Sequence, residues 1–249
     1  MIDSRLVLTM TCAAAELFAC SRLFETRVYR SYPWFQAYLV AGFLQSFIWL
    51  AGSPDTEGYL RAYRWTTPFV MALQVMTVLE LWRALMSCYR GIHRISHALG
   101  GIILLLAIVV ASSTGFDGLA MRHESLARTT FHWLMWAVRY TGSILSVACV
   151  LLAAWAGMFD HGVPPNRIRH AELLSGYFGS IAIGYLLLNL HVGTADTIGI
   201  CTTLTAAGFY IAWGVLLDQA GEIPFERLMI GRRSKALTSV PWLRRLIPY

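Results

Sequence analysis

TFHWLMWAVRYTGSILSVACVLLAAWAGM, Thr130 to Met158, is apolar almost throughout and is broken near its middle by one charge, Arg139. As a helix rising about 1.5 Å per residue it reaches roughly 43 Å, beyond the ~30 Å hydrocarbon core of a bilayer. Such a stretch spans a membrane. An arginine at that depth costs roughly 3 kcal/mol on insertion scales, so it is expected to face the protein interior and to meet a partner there.

The rest of the chain repeats the pattern. Six further apolar runs of spanning length flank this one: residues 6–23, 34–51, 65–86, 95–113, 171–190 and 198–217. The Arg139 stretch is the fifth of seven runs in chain order. The third opens at Trp65-Thr66-Thr67-Pro68, with the proline expected near the first turn, where its missing N–H matters least. Composition agrees: 57% of the 249 residues are hydrophobic and 14% charged, against about one quarter charged in soluble domains. The expected fold is all-α: a polytopic seven-helix transmembrane bundle over 1–220, followed by a basic amphipathic tail over 221–249.

Charge placement orients the bundle. The segments after runs 1, 3 and 5, with the tail, hold Arg22, Arg27, Arg30, Arg83, Arg90, Arg94, Arg167, Arg169, Arg227, Arg232, Arg233, Lys235, Arg244 and Arg245. The opposite side holds Arg5, Arg61, Arg64, Arg122 and Arg128, diluted by six acids. Arginine-rich loops stay inside, which puts the N-terminus outside and the C-terminus in the cytoplasm of a cell bounded by a plasma membrane or bacterial inner membrane. The pI near 9.2 is then a match for anionic lipid headgroups and not for nucleic acid. Glu16 inside the first run, and Phe18 beside a would-be cleavage site at Cys20, argue against a removable signal peptide, so run 1 is read as an uncleaved helix.

Depth selects the candidate site. Counted at about 1.5 Å per residue, Glu16, Gln45, Gln74 and Arg139 all fall roughly 12–16 Å into their runs, near the midplane. Gln74, Thr77 and Glu80 share one stripe of run 3, and His132, Trp136, Arg139 and Ser143 share one of run 5. The expectation is a buried polar network of Arg139, Glu16, Glu80, Gln74, Gln45, His132 and Trp136, with Glu16 or Glu80 neutralising Arg139. Gly176, Ser180 and Gly184, spaced by four, are expected to form a close helix–helix seam within the bundle.

Other chemistry finds less support. The five cysteines form no C-x-x-C pair. His93 and His97 stand four apart, with His161 and His170 available on the same inner side, yet such a pair at a helix entrance is more often interfacial than metal-binding. His97 and His132 lie at opposite ends of their spans, which argues against a haem held between them. A retinal pigment needs a lysine in the last helix, and 198–217 has none; zinc hydrolases of the ceramidase and progestin-receptor type need histidines there, and it has none. Sugar transporters of three-plus-one-plus-three helices use mid-helix prolines and an internal repeat, and neither is read here. No nucleophile, base and orienting group come together by spacing, and no cofactor is assigned. The expected function is a non-enzymatic, receptor-like or interaction module for a small or lipidic ligand or a membrane partner, with the tail free to meet a cytoplasmic protein. The alternatives are a small-solute transporter using the midplane set, or an accessory haem- or quinone-associated subunit.

Overall fold

The computed structural model describes residues 4–51, 57–88, 102, 126–158, 163–189 and 194–222. Among them are six α-helices: α1 (Ser4–Glu25), α2 (Pro33–Ala51), α3 (Glu57–Met86), α4 (Leu126–Met158), α5 (Pro165–Asn189) and α6 (Ala195–Leu216). Short 3-10 turns follow α1 (Val28–Arg30) and α6 (Ala220–Glu222). The fourth apolar run, 95–113, lies outside the described residues apart from the exposed helical Ile102, as do His93, His97 and tail residues 223–249.

Five of the helices carry segments of 20 residues or more that are long and apolar enough to cross a membrane: Leu6–Glu25, Arg61–Met86, Ala137–Met158, Pro165–Leu188 and Asp196–Leu216. The sixth, α2, is 19 residues long and carries Gln36 and Gln45. Large apolar side chains stand on the outside of the bundle, among them Phe24, Phe69, Ile183 and Val215. In water so many would make an aggregating surface; against lipid they are the natural exterior. The architecture is that of a multi-pass membrane protein.

All six helices begin before the apolar runs mark them, three of them by four residues or more. α3 opens at Glu57 instead of Trp65, α4 at Leu126 instead of Thr130, and α5 at Pro165 instead of Ala171. Hydropathy registers the part of a helix that sits in lipid, whereas hydrogen bonding carries the helix on through polar residues. The consequence at Pro68 is a correction: it stands inside α3, eleven residues from the start, and not in a first turn. A mid-helix proline therefore no longer separates this chain from the three-plus-one-plus-three transporters; the missing repeat still does.

Around the bundle each helix packs on its successor and α6 returns to α1, so the six close a ring. Its core is aliphatic between α3, α4 and α5, with Leu81, Leu85, Cys149, Leu152 and Leu174 buried. Between α1, α2, α5 and α6 it is aromatic. Helix ends are specified locally. Pro165 starts α5 where its missing N–H is harmless. Thr194 caps α6, accepting from the Thr197 N–H at 3.2 Å, and Asp196 complements the dipole in the first turn. At the other end, Leu217 turns extended and ends α6. Asn166 of α5 then ties the turn beyond it, donating through Nδ2 to the Asp218 carbonyl at 2.5 Å and to Glu222 Oε1 at 2.8 Å. Arg167 likewise holds the C-terminal end of α3, donating to the Ala84 carbonyl, to Ser87 Oγ and to Cys88 Sγ.

Candidate functional site

α1 brings Cys12, Glu16, Ala19 and Leu23 onto one face, by steps of three and four, and turns that face inward. Glu16 is 5% exposed. Its carboxylate sits in a notch of α2 made by Gly42: a Cβ there would come within 2.8 Å of Glu16 Oε1. One turn on, Ser46 Oγ lies 3.2 Å from both Glu16 Oε2 and the Gly42 carbonyl. The Tyr210 side chain of α6 stands beside the carboxylate.

Beyond Tyr210 the hydroxyls continue. Tyr38 of α2, Tyr177 of α5 and Tyr210 of α6 meet in a triangle, with oxygens 2.5 Å apart for Tyr38–Tyr177, 3.0 Å for Tyr177–Tyr210 and 3.1 Å for Tyr38–Tyr210. All three are buried, so each hydroxyl needs a partner, and each supplies one to the others. Gln74 of α3 stands beside Tyr38. Further along the bundle, Trp213 packs against Tyr177 and Tyr210 at ring-centre distances of 5.6 and 5.9 Å. Its indole N–H donates to His170 Nδ1 at 3.1 Å. The His170 ring is covered by Tyr32 and Phe35 at 4.8 and 4.6 Å. At the edge of this stack, outside the spans, burial pushes the Tyr32 phenol up, with Glu222 adding to the effect.

The structure divides the residues expected at the site. Glu16 and Gln74 stand beside the tyrosine triangle. Gln45 turns to α3 and donates to Thr66 Oγ1 and Thr67 Oγ1 at 3.2 and 3.3 Å. Glu80 goes to the start of α2, where it accepts from the backbone N–H groups of Trp34 and Phe35. Arg139 is half-buried on α4. The side chains of His132 and Trp136 lie outside the described residues. Gly176 and Gly184 face α6: a Cβ would come within 2.6 Å of the Phe209 ring at Gly176, and within 3.2 Å of Thr202 Cγ2 at Gly184. Ser180 between them donates to the Tyr177 carbonyl at 2.7 Å. Among the described residues, no group of three or more His, Cys, Asp or Glu could hold a metal ion.

No family model, curated protein or solved structure matches the chain. Its chemistry therefore rests on the residues themselves. They form a buried carboxyl group, four hydroxyls and an amide from five helices, able to accept and relay hydrogen bonds across the ring. Nothing in this set is a nucleophile activated by a base.

Sequence reasoning missed Tyr38, Ser46, Tyr177, Tyr210, Trp213 and His170. The signal was there as spacing: Tyr38-Gly42-Ser46 repeats every four residues on α2, and Asn166-His170-Leu174-Tyr177 follows the same rule on α5. It was hidden because tyrosine and tryptophan are enriched at membrane interfaces and read there by default. Gly42→Ala is expected to leave stability within about 1 kcal/mol, since the helix propensity gained offsets the displacement of a flexible carboxylate. It should nonetheless move Glu16 off Ser46. Chemical denaturation and the infrared carboxyl band of Glu16 check the two halves.

Proposed function

We propose that the chain is a non-enzymatic, receptor-like seven-helix membrane protein whose interior binds a small or lipidic ligand, or a partner's helix, at the Glu16 centre. The 95–113 run supplies the seventh span, and the arginine asymmetry places the N-terminus outside and the tail in the cytoplasm, in a plasma or bacterial inner membrane. The observation that carries the reading is Glu16 itself. An ionisable group this deep in a bundle is costly, and here four other helices place polar side chains around it. Packing alone needs no such group.

A small-solute transporter is the second reading, favoured by the run of polar and aromatic groups from Glu16 through the tyrosines to His170 along the bundle. Native mass spectrometry of the protein released from its own membrane tests the first reading. A bound molecule or protein partner is expected on the wild-type chain and absent from Glu16→Gln. Bare protein in both cases rejects the binding reading. Solute flux in liposomes, lost with Glu16→Gln, would assign the chain to transport.

A further inference from the structure

This inference deepens the reading of the Glu16 centre as a binding site, and concerns charge. A carboxylate taken out of water carries a penalty of several kcal/mol unless positive charge accompanies it. Among the described residues, the titratable groups that face Glu16 are Cys12 one turn away on α1, Tyr38 from α2, Tyr177 from α5 and Tyr210 from α6. Each is neutral when protonated and negative when not, so none brings positive charge. α3 contributes Gln74 behind Tyr38, which is uncharged. The other direct neighbour, Ser46, is a hydroxyl.

What surrounds the carboxylate is oxygen. Ser46 Oγ, the Gly42 carbonyl that Ser46 also meets, and the Tyr210 hydroxyl lie with the two carboxylate oxygens at one place between α1, α2 and α6. Oxygen donors of this kind suit hard cations, and among the described residues the site has no group of nitrogen or thiolate ligands of the sort that selects transition metals. One carboxylate supplies one negative charge, which a monovalent cation balances and a divalent cation would overshoot. We propose that the Glu16 centre binds a single monovalent cation, a sodium ion or a proton, which takes the place of a basic side chain. The tyrosine triangle joins the occupied carboxyl group to the rest of the bundle, so occupancy is felt by α5 and α6.

A cation bound only by the folded state raises the unfolding temperature as its concentration rises. The full chain in nanodiscs is melted in sodium chloride against choline chloride at equal ionic strength, and then in choline across a pH series. For the sodium source, the midpoint rises by about 3 °C at a tenfold excess over the dissociation constant, and the rise is lost in Glu16→Gln. For the proton source, sodium has no effect, and the midpoint rises as pH falls in wild type but not in Glu16→Gln. Responses identical in wild type and Glu16→Gln overturn the proposal. Should Glu16→Gln not fold, radiosodium binding and the infrared band of a protonated carboxyl group decide on the wild-type chain, and finding neither overturns it. A cation response with no Glu16-dependent ligand retention keeps this inference and removes the receptor-like reading; ligand retention without a cation response does the reverse.

Discussion

Trp213→Ala is expected to cost about 3–5 kcal/mol of stability, the range for deleting a large aromatic side chain from a packed interior. Trp213 is fully buried, and its indole touches Phe35, His170, Tyr177, Phe209 and Tyr210 from three helices. Helix association in lipid gains little from the hydrophobic effect and depends on such packing and on interhelical hydrogen bonds. Two losses are therefore combined: the cavity, and the donor to His170 Nδ1. Trp213→Phe separates them by keeping a ring while removing the N–H, and should cost about 1–3 kcal/mol. Unfolding in mixed micelles titrated with dodecyl sulfate reads both. A cost below about 1 kcal/mol for Trp213→Ala would mean that the aromatic cluster does not hold α2, α5 and α6 together.

The second large effect is at Glu80. An α-helix begins with N–H groups that have no partner within it, and in α2 each of the first four is accounted for. Pro33 has no N–H, Trp34 donates to Glu80 Oε1 at 3.1 Å, Phe35 donates to Oε2 at 3.2 Å, and Gln36 donates to the Tyr32 carbonyl at 3.0 Å. A carboxylate from α3 thus caps α2 and complements the positive end of its dipole. Glu80→Ala strips the acceptor from two N–H groups and should cost about 2–3 kcal/mol; Glu80→Gln, which keeps one carbonyl oxygen, should cost about 1 kcal/mol. Hydrogen exchange at Trp34 and Phe35 localises the effect. Fast exchange confined to the start of α2 is expected, and unchanged protection there would refute the cap.

The cap also shows why depth counting reached only part of the site. Counting along runs marks Glu16, Gln45, Gln74 and Glu80 as polar groups that must turn inward; Glu16, Gln45 and Glu80 make hydrogen bonds within the bundle, and Gln74 stands beside Tyr38. It could not say to whom. Glu80 meets a helix terminus, and a backbone N–H leaves no trace in composition. Gln45 meets two threonines that Pro68 had suggested belonged to a helix start, although they stand well inside α3. The tyrosines were passed over because a phenol is equally at home at an interface and in a buried hydroxyl cluster, and only the rotation of each helix about its axis distinguishes the two.

The sequence by itself determined that the chain is helical and crosses a membrane more than once. Runs of apolar residues longer than a bilayer is thick have no other stable state, because a backbone in lipid must satisfy its own hydrogen bonds. Only the tertiary structure decided that α6 closes on α1, that Gly42 makes room for the Glu16 carboxylate, and that three tyrosines far apart in sequence share their hydroxyls. Those facts depend on which face each helix turns to which neighbour. Hydropathy is nearly blind to that choice, since lipid and protein interior are almost equally apolar.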